Sequence, residues 1–335
     1  DLHWLKLYAD LIGRLDTRSL AHEAVATRMT RYMTRGSVGT TLLGDSDGKG
    51  VTPYLQATWF ANPADMPESY ALLEALLFET KLDDAQAILS AVDAARAAFR
   101  QSASEDPSRL LLSRALASAD ECHAVDEFMN GLAYYAFLEN ARTLLKDKPE
   151  EALSRLKAVQ AFLNNRAGAV STFAGSDEGF ARHRQAADQL LAKLGEHKRE
   201  RVQYPLPTEG KSEGIVIDSA VQYNMLYADY KALGLPGYSG ELDAVTALTT
   251  DAILYPILRG AYGAYGVSHF GNEQGMFIVS EQDPNVRETF EVYKMLARIL
   301  PSVPVDQEAL NGYILSVYAG YGVPEGELAG AMSAV

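Results

Sequence analysis

Arg259, Tyr262 and Tyr265 stand within seven residues, RGAYGAY, that also hold Gly260 and Gly263. A guanidinium and a phenol aimed at one point suit a peptide carbonyl, or the oxyanion that forms when water attacks it. Whether they meet depends on the backbone between them. In one extended strand Arg259 and Tyr265 would share a face but stand about 20 Å apart, at roughly 3.3 Å per residue. If the helix expected over Ala252 to Leu258 instead ends at Arg259, Gly260 can take the left-handed cap. The chain can then reverse before a strand begins near Tyr265, and the two side chains converge. A plainer reading has the glycines making a turn, the tyrosines packing and Arg259 in a surface ion pair. The residues alone leave both readings open.

Other chemistries find less support. The histidines, His3, His22, His123, His183, His197 and His269, are scattered, and neither H-x-x-E-H nor H-E-x-x-H occurs. A local helix-borne zinc site is therefore not expected. His22 beside Glu23, and His123 near Asp126 and Glu127, read as ordinary helix residues. Asp45 to Gln56, DSDGKGVTPYLQ, imitates a calcium loop, but Lys49 and Gln56 occupy positions that need oxygen ligands and a bidentate carboxylate. Phosphate-loop and nucleophile-elbow motifs are missing. The single cysteine, Cys122, excludes intrachain disulfides and reads as a small core residue.

The elements that must position these residues follow from periodicity. Leu72, Leu73, Leu76 and Leu77, then Ile88, Leu89, Val92 and Phe99, recur at helical spacing, as do Phe128, Leu132, Tyr135 and Leu138, and Leu153, Leu156, Val159 and Phe162. GDSDGKG ahead of VTPYLQATWF predicts a hairpin loop entering a strand. Beyond KRERVQYPLPTEGKSEG, EGIVIDSAVQYNMLYAD predicts one long or two consecutive strands. ELDAVTALTTDAILYPIL predicts a helix, and AYGVSHF with GMFIVSEQ a hairpin. Asp283 and Pro284 predict the cap and first position of a further helix carrying Val286, Phe290, Tyr293, Leu296 and Leu300. The class is α+β, in two tandem domains: residues 1–200, a linker at 201–213, and residues 214–335.

The chain has 335 residues, 47% of them hydrophobic and 22% charged, with no apolar run long enough for a membrane span. Its formal charge of −14 would repel phosphate backbones, so nucleic acid is not an expected partner, and neither is a membrane. The same field favours cationic peptides. The first residues, DLHWLKLYADLIGRLD, do not read as a signal peptide, and a cytoplasmic location is expected.

Taken together, several stretches resemble the presequence-protease branch of the pitrilysin/insulinase-type zinc peptidases. RGAYGAYG is similar to that family's R-x-x-G-G-A-Y-G, and GMFIVSEQDPN to the hairpin and D-P-N that follow it. EGIVIDSAVQYNMLYADY resembles the first strand of the family's last domain, and FETKLDDAQAILSAV the start of one of its helices. EFMNGLAYYAFLENA resembles its G-L-x-Y-x-x-F-L helix, and MTRYMTRGSVGTTL its helix-to-strand turn. The likeness runs through nearly the whole chain in the family's order.

The likeness is to the second half of such enzymes. It implies a LuxS/MPP-like metallohydrolase fold, each domain an antiparallel-rich sheet with helices on one face. It implies zinc held by H-x-x-E-H in an N-terminal half, the partner, and none held by this chain. It also implies an enclosed chamber for peptide substrates, in which Arg259 and Tyr265 are catalytic and, with Tyr262 and Gly263, bind substrate. Tyr262 stands where the family has glycine, and GAYG occurs twice, at 260–263 and 263–266. Tyr262 is thus the alternative tyrosine, with Tyr265 preferred on its spacing from Arg259. The last domain is expected to stop short after GYILSVYAGYGVPEG. By itself the chain is expected to be inactive as a peptidase. The rival expectation is a non-catalytic scaffold subunit of the same fold.

Overall fold

The computed structural model describes residues 2–44, 50–197, 206, 210 and 212–320. The described residues fall into two compact units, one drawn from 2–99 and 128–197, the other from 100–127 and 206–320. Most of the expected linker at 201–213, residues 45–49 of the calcium-like loop and everything past 320 lie outside the described residues.

The first unit carries α1 (Leu2–Leu11), α2 (His22–Tyr32), β1 (Thr34–Gly44), β2 (Val51–Phe60), α3 (Met66–Phe78) and most of α4 (Ala85–Glu105). The second takes in α5 (Pro107–Leu116) and most of α6 (Glu121–Asn130), and the first resumes with α7 (Leu132–Asp147), α8 (Pro149–Leu163) and α9 (Asp177–Leu191). The apolar stripes read from the sequence form its core: Leu72, Leu76, Ile88, Val92, Leu138, Leu153 and Leu156 pack with Trp4, Leu7, Tyr8 and Leu11. Polar caps set the helix starts. The Asp84 carboxylate accepts from the N–H groups of Gln86 and Ala87 at 3.0 and 2.9 Å, and Asp106 caps α5 with Pro107 at its first position. The expected hairpin is present as an antiparallel β1–β2 ribbon, paired from Thr34 with Phe60 to Gly44 with Val51. Cys122 is half-buried rather than a core residue; burial, then the charges of Asp120 and Asp126, push its thiol pKa upward.

The second unit continues with β3 (Gln222–Ala228), α10 (Gly240–Thr249), a π-helix (Thr250–Ala261), β4 (Gly266–Asn272), β5 (Gly275–Asp283), α11 (Arg287–Ile299) and α12 (Gln307–Gly320). Its sheet is antiparallel in the order β3-β5-β4, with the most apolar strand, β5, in the middle. Ile253, Leu254 and Leu258 of the π-helix pack on Ile278, Val292, Tyr293 and Leu296. The chain is therefore α+β with small antiparallel sheets, as its sequence implies.

Two expectations change here. Of EGIVIDSAVQYNMLYAD only Gln222–Ala228 is strand, because the Ser219 hydroxyl bonds both the N–H (3.2 Å) and the carbonyl (2.9 Å) of Val221 and closes a local turn instead. Asp283 does not cap α11: it ends β5, wholly buried, and the helix begins four residues later at Arg287. Its carboxylate serves a polar network inside the unit.

Candidate functional site

The stretch between Thr250 and Gly266 is shaped by a widened helix. Pro256 sits inside it without an N–H to give, and the turn closes with five- and six-residue steps: Tyr262 N–H donates to the Ile257 carbonyl at 3.0 Å, and Ala264 N–H to that of Leu258 at 2.9 Å. The helix runs to Ala261 and the left-handed residue is Gly263, at φ +85°. This corrects the expectation of an end at Arg259 with Gly260 as the cap. The wider turn carries Gly260 and Ala261 through before the chain reverses. Tyr265 N–H then donates to the Glu281 carbonyl at 3.0 Å, which sets the register of the β4–β5 hairpin.

The reversal brings Arg259 and Tyr265 together. The Arg259 guanidinium carbon lies 5.2 Å from the centre of the Tyr265 ring, and the guanidinium donates through Nη1 to the Tyr265 main-chain carbonyl. The centre of the Tyr255 ring lies 5.3 Å from the same carbon. The cation thus meets two aromatic faces, each favourable by about 0.5–1 kcal/mol at an exposed site. Apolar neighbours Leu258 and Ala264 are buried, whereas Tyr255, Arg259, Tyr262 and Tyr265 remain exposed, Tyr265 by 63%. Tyr262 is not against the guanidinium; its main-chain carbonyl accepts from Asn285 Nδ2 at 2.9 Å. Tyr255 was not singled out from the sequence, although its place four residues before Arg259 on a helix was the available signal.

Within the hairpin, His269 of β4 is held by Thr249. Thr249 Oγ1 has one proton and lies within reach of the Val245 and Thr246 carbonyls at 3.0 and 2.9 Å, so it accepts from His269 Nδ1–H across 2.6 Å. Burial pushes the His269 pKa down to about 4, leaving the imidazole neutral.

Among the described residues no three His, Cys, Asp or Glu side chains come together, so their donor set does not fit a zinc ion. Several histidines have structural partners instead. His3 stacks on Phe128 at 4.1 Å, His123 bonds Asp120 at 2.8 Å, and His183 bonds the Tyr70 hydroxyl at 2.9 Å.

Residues 1–140 match the protein family described as associated with the M16 peptidases of subfamily C. Over 325 residues the chain is 25% identical to Protein HypA of Clostridium perfringens, covering 96% of this chain and 33% of that protein. Over 253 residues it is 23% identical to Presequence protease 1, chloroplastic/mitochondrial, of Arabidopsis thaliana, covering 73% of this chain and 23% of that protein. These likenesses support a C-terminal half of the M16 peptidase type. M16 is the pitrilysin/insulinase group that its motifs resemble. The chain spans a third or less of the length of the curated relatives it matches. A solved structure, a conserved protein from Enterococcus faecalis V583, shares its fold with a TM-score of 0.58 at 12% identity, over 96% of this chain and 76% of that one. No helix among the described residues is long and apolar enough to cross a membrane.

Proposed function

We propose that this chain is the non-metal half of a zinc metalloendopeptidase that degrades peptides in an enclosed chamber. Zinc and its activated water belong to the N-terminal half, either on the same polypeptide or on a partner subunit. The task of this chain is to hold the scissile region and to stabilise the negative charge that develops on the carbonyl oxygen. The observation that carries this reading is the Arg259 guanidinium, fixed in direction by Tyr255 and Tyr265 yet exposed to solvent. A cation oriented beforehand loses little freedom when it meets its target, which is what an oxyanion donor requires. The exposed Tyr265 hydroxyl is a second donor on the same turn, and Tyr262 and Gly263 flank the same strip of main chain. Substrates are unfolded peptides, with cationic ones favoured by the charge of −14. A lone cysteine suits a reducing, cytoplasmic compartment.

In an assay of this chain with and without its zinc-bearing half, peptide cleavage is expected only from the assembled enzyme, and a chelator is expected to abolish it. Chelator-sensitive cleavage by this chain alone would refute the division of labour. In the assembled enzyme, Arg259→Ala is expected to lower kcat by about 10²–10³-fold, the range for losing one oxyanion donor. Tyr265→Phe, which keeps the ring against Arg259, separates the hydroxyl's contribution from the ring's.

A further inference from the structure

A polar side-chain network beneath the turn ties β3 and β5 to the first turn of α11. Asn224, Ser280, Asp283 and Thr289 are all buried, the last three completely. Asn224 Nδ2 donates to Ser280 Oγ at 3.1 Å, to Asp283 Oδ2 at 3.3 Å and to the Asn285 carbonyl at 2.9 Å. Thr289 Oγ1 donates to Asp283 Oδ2 at 2.7 Å, and the Asn285 N–H to Asp283 Oδ1 at 2.8 Å. A carboxylate taken out of water needs several such donors, so the network fixes Asn285 firmly.

The chain is bent to build it. Between the pairs Asn224–Ser280 and Gln222–Asp283, β5 has two residues where β3 has one, and Gln282 of that bulge has φ +45°. In a regular strand Ser280 and Gln282 would share a face. The bulge exchanges Gln282 for Asp283 and turns the carboxylate inward. From this anchor the next two residues reach the turn. Pro284 Cγ lies 3.7 Å from where a side chain on Gly263 would begin, and Asn285 Nδ2 donates to the Tyr262 carbonyl at 2.9 Å.

We infer that Asn285 is a positioning residue for the Arg259–Tyr265 pair: anchored by buried Asp283, it clamps the Tyr262 carbonyl and holds the turn in the conformation that brings guanidinium and phenol together. The inference deepens the proposed function and rests on it for its catalytic consequence, while the clamp itself can be tested without activity.

The test uses the assembled enzyme with Asn285→Ala, Arg259→Ala and the double variant. Asn285→Ala leaves the main-chain bonds of Asn285 to the network and removes only the amide. It is expected to lower kcat about ten- to a hundredfold with KM little changed, as small misplacements of positioned groups do. The loss should disappear in the Arg259→Ala background, because the two changes disable one device. Additive losses would overturn the inference, since they would place the effect of Asn285 elsewhere. Amide hydrogen exchange over residues 262–266 should rise in Asn285→Ala, with little change in Tm; unchanged exchange would also overturn it. If exchange rises but Arg259→Ala leaves activity intact, the clamp stands and the catalytic reading of Arg259 fails.

Discussion

Gln282 shows how one residue's backbone can determine what a site contains. A non-glycine residue in the left-handed region costs about 1–2 kcal/mol, and here that conformation places Asp283 in the interior. Gln282→Gly should therefore raise stability by about 0.5 kcal/mol, the relief of strain slightly exceeding the entropy that glycine loses on folding. Gln282→Val should lower it by more than about 1 kcal/mol. Urea unfolding of both variants checks this, and a glycine variant less stable than the parent would remove strain from the account. His269 supplies a pH effect. Its folded pKa of about 4 lies below the unfolded value of 6.5, so between those values the unfolded chain binds the extra proton. Stability is whole above pH 6.5 and lost as pH falls toward 4, by up to about 3 kcal/mol. In His269→Gln the dependence of Tm on pH across that window should flatten. Tyr293 is a simpler case: burial pushes the pKa of its hydroxyl up, and that hydroxyl is near Ser280 but makes no hydrogen bond of good geometry among the described residues, so Tyr293→Phe should cost little.

The elements were legible in the sequence where period and punctuation agreed. Ile88 and Val92, or Leu153 and Leu156, announce buried helix faces, and each is in the core. The GNEQG turn between two β-rich runs announces the β4–β5 hairpin, where Asn272 Oδ1 accepts from Gln274 N–H at 2.9 Å. EFMNGLAYYAFLENA, by contrast, is two helices with Gly131 between α6 and α7, since glycine at the junction leaves the α region. The π-helix was not legible, because its widened register depends on the packing of Ile253, Leu254 and Leu258 rather than on any local residue preference. At this scale the decisive position is Gly263. With φ +85° there, Gly263→Ala should cost about 1–2 kcal/mol of stability and should separate Arg259 from Tyr265, with a matching loss of peptide cleavage in the assembled enzyme.

At the scale of the whole molecule, the proposed division of labour between this chain and a zinc-bearing half can be tested on the chain alone. Its described residues do not fit a metal, so a chelator should leave its thermal unfolding curve unchanged while abolishing cleavage by the assembled enzyme. A chelator-dependent fall in Tm of the isolated chain would show that it holds a metal of its own.

The sequence by itself determined the α+β class, the apolar faces that build the cores, the hairpins and the family that its motifs resemble. Those depend on local periodicity, turn chemistry and short motifs, all written in consecutive residues. Only the tertiary structure decided that Gly263 rather than Gly260 reverses the chain, that Tyr255 joins Tyr265 beside Arg259, and that Asp283 is buried instead of capping a helix. Each of these results from residues distant in sequence competing for the same space and the same hydrogen-bond partners, and no local pattern records which of them prevails.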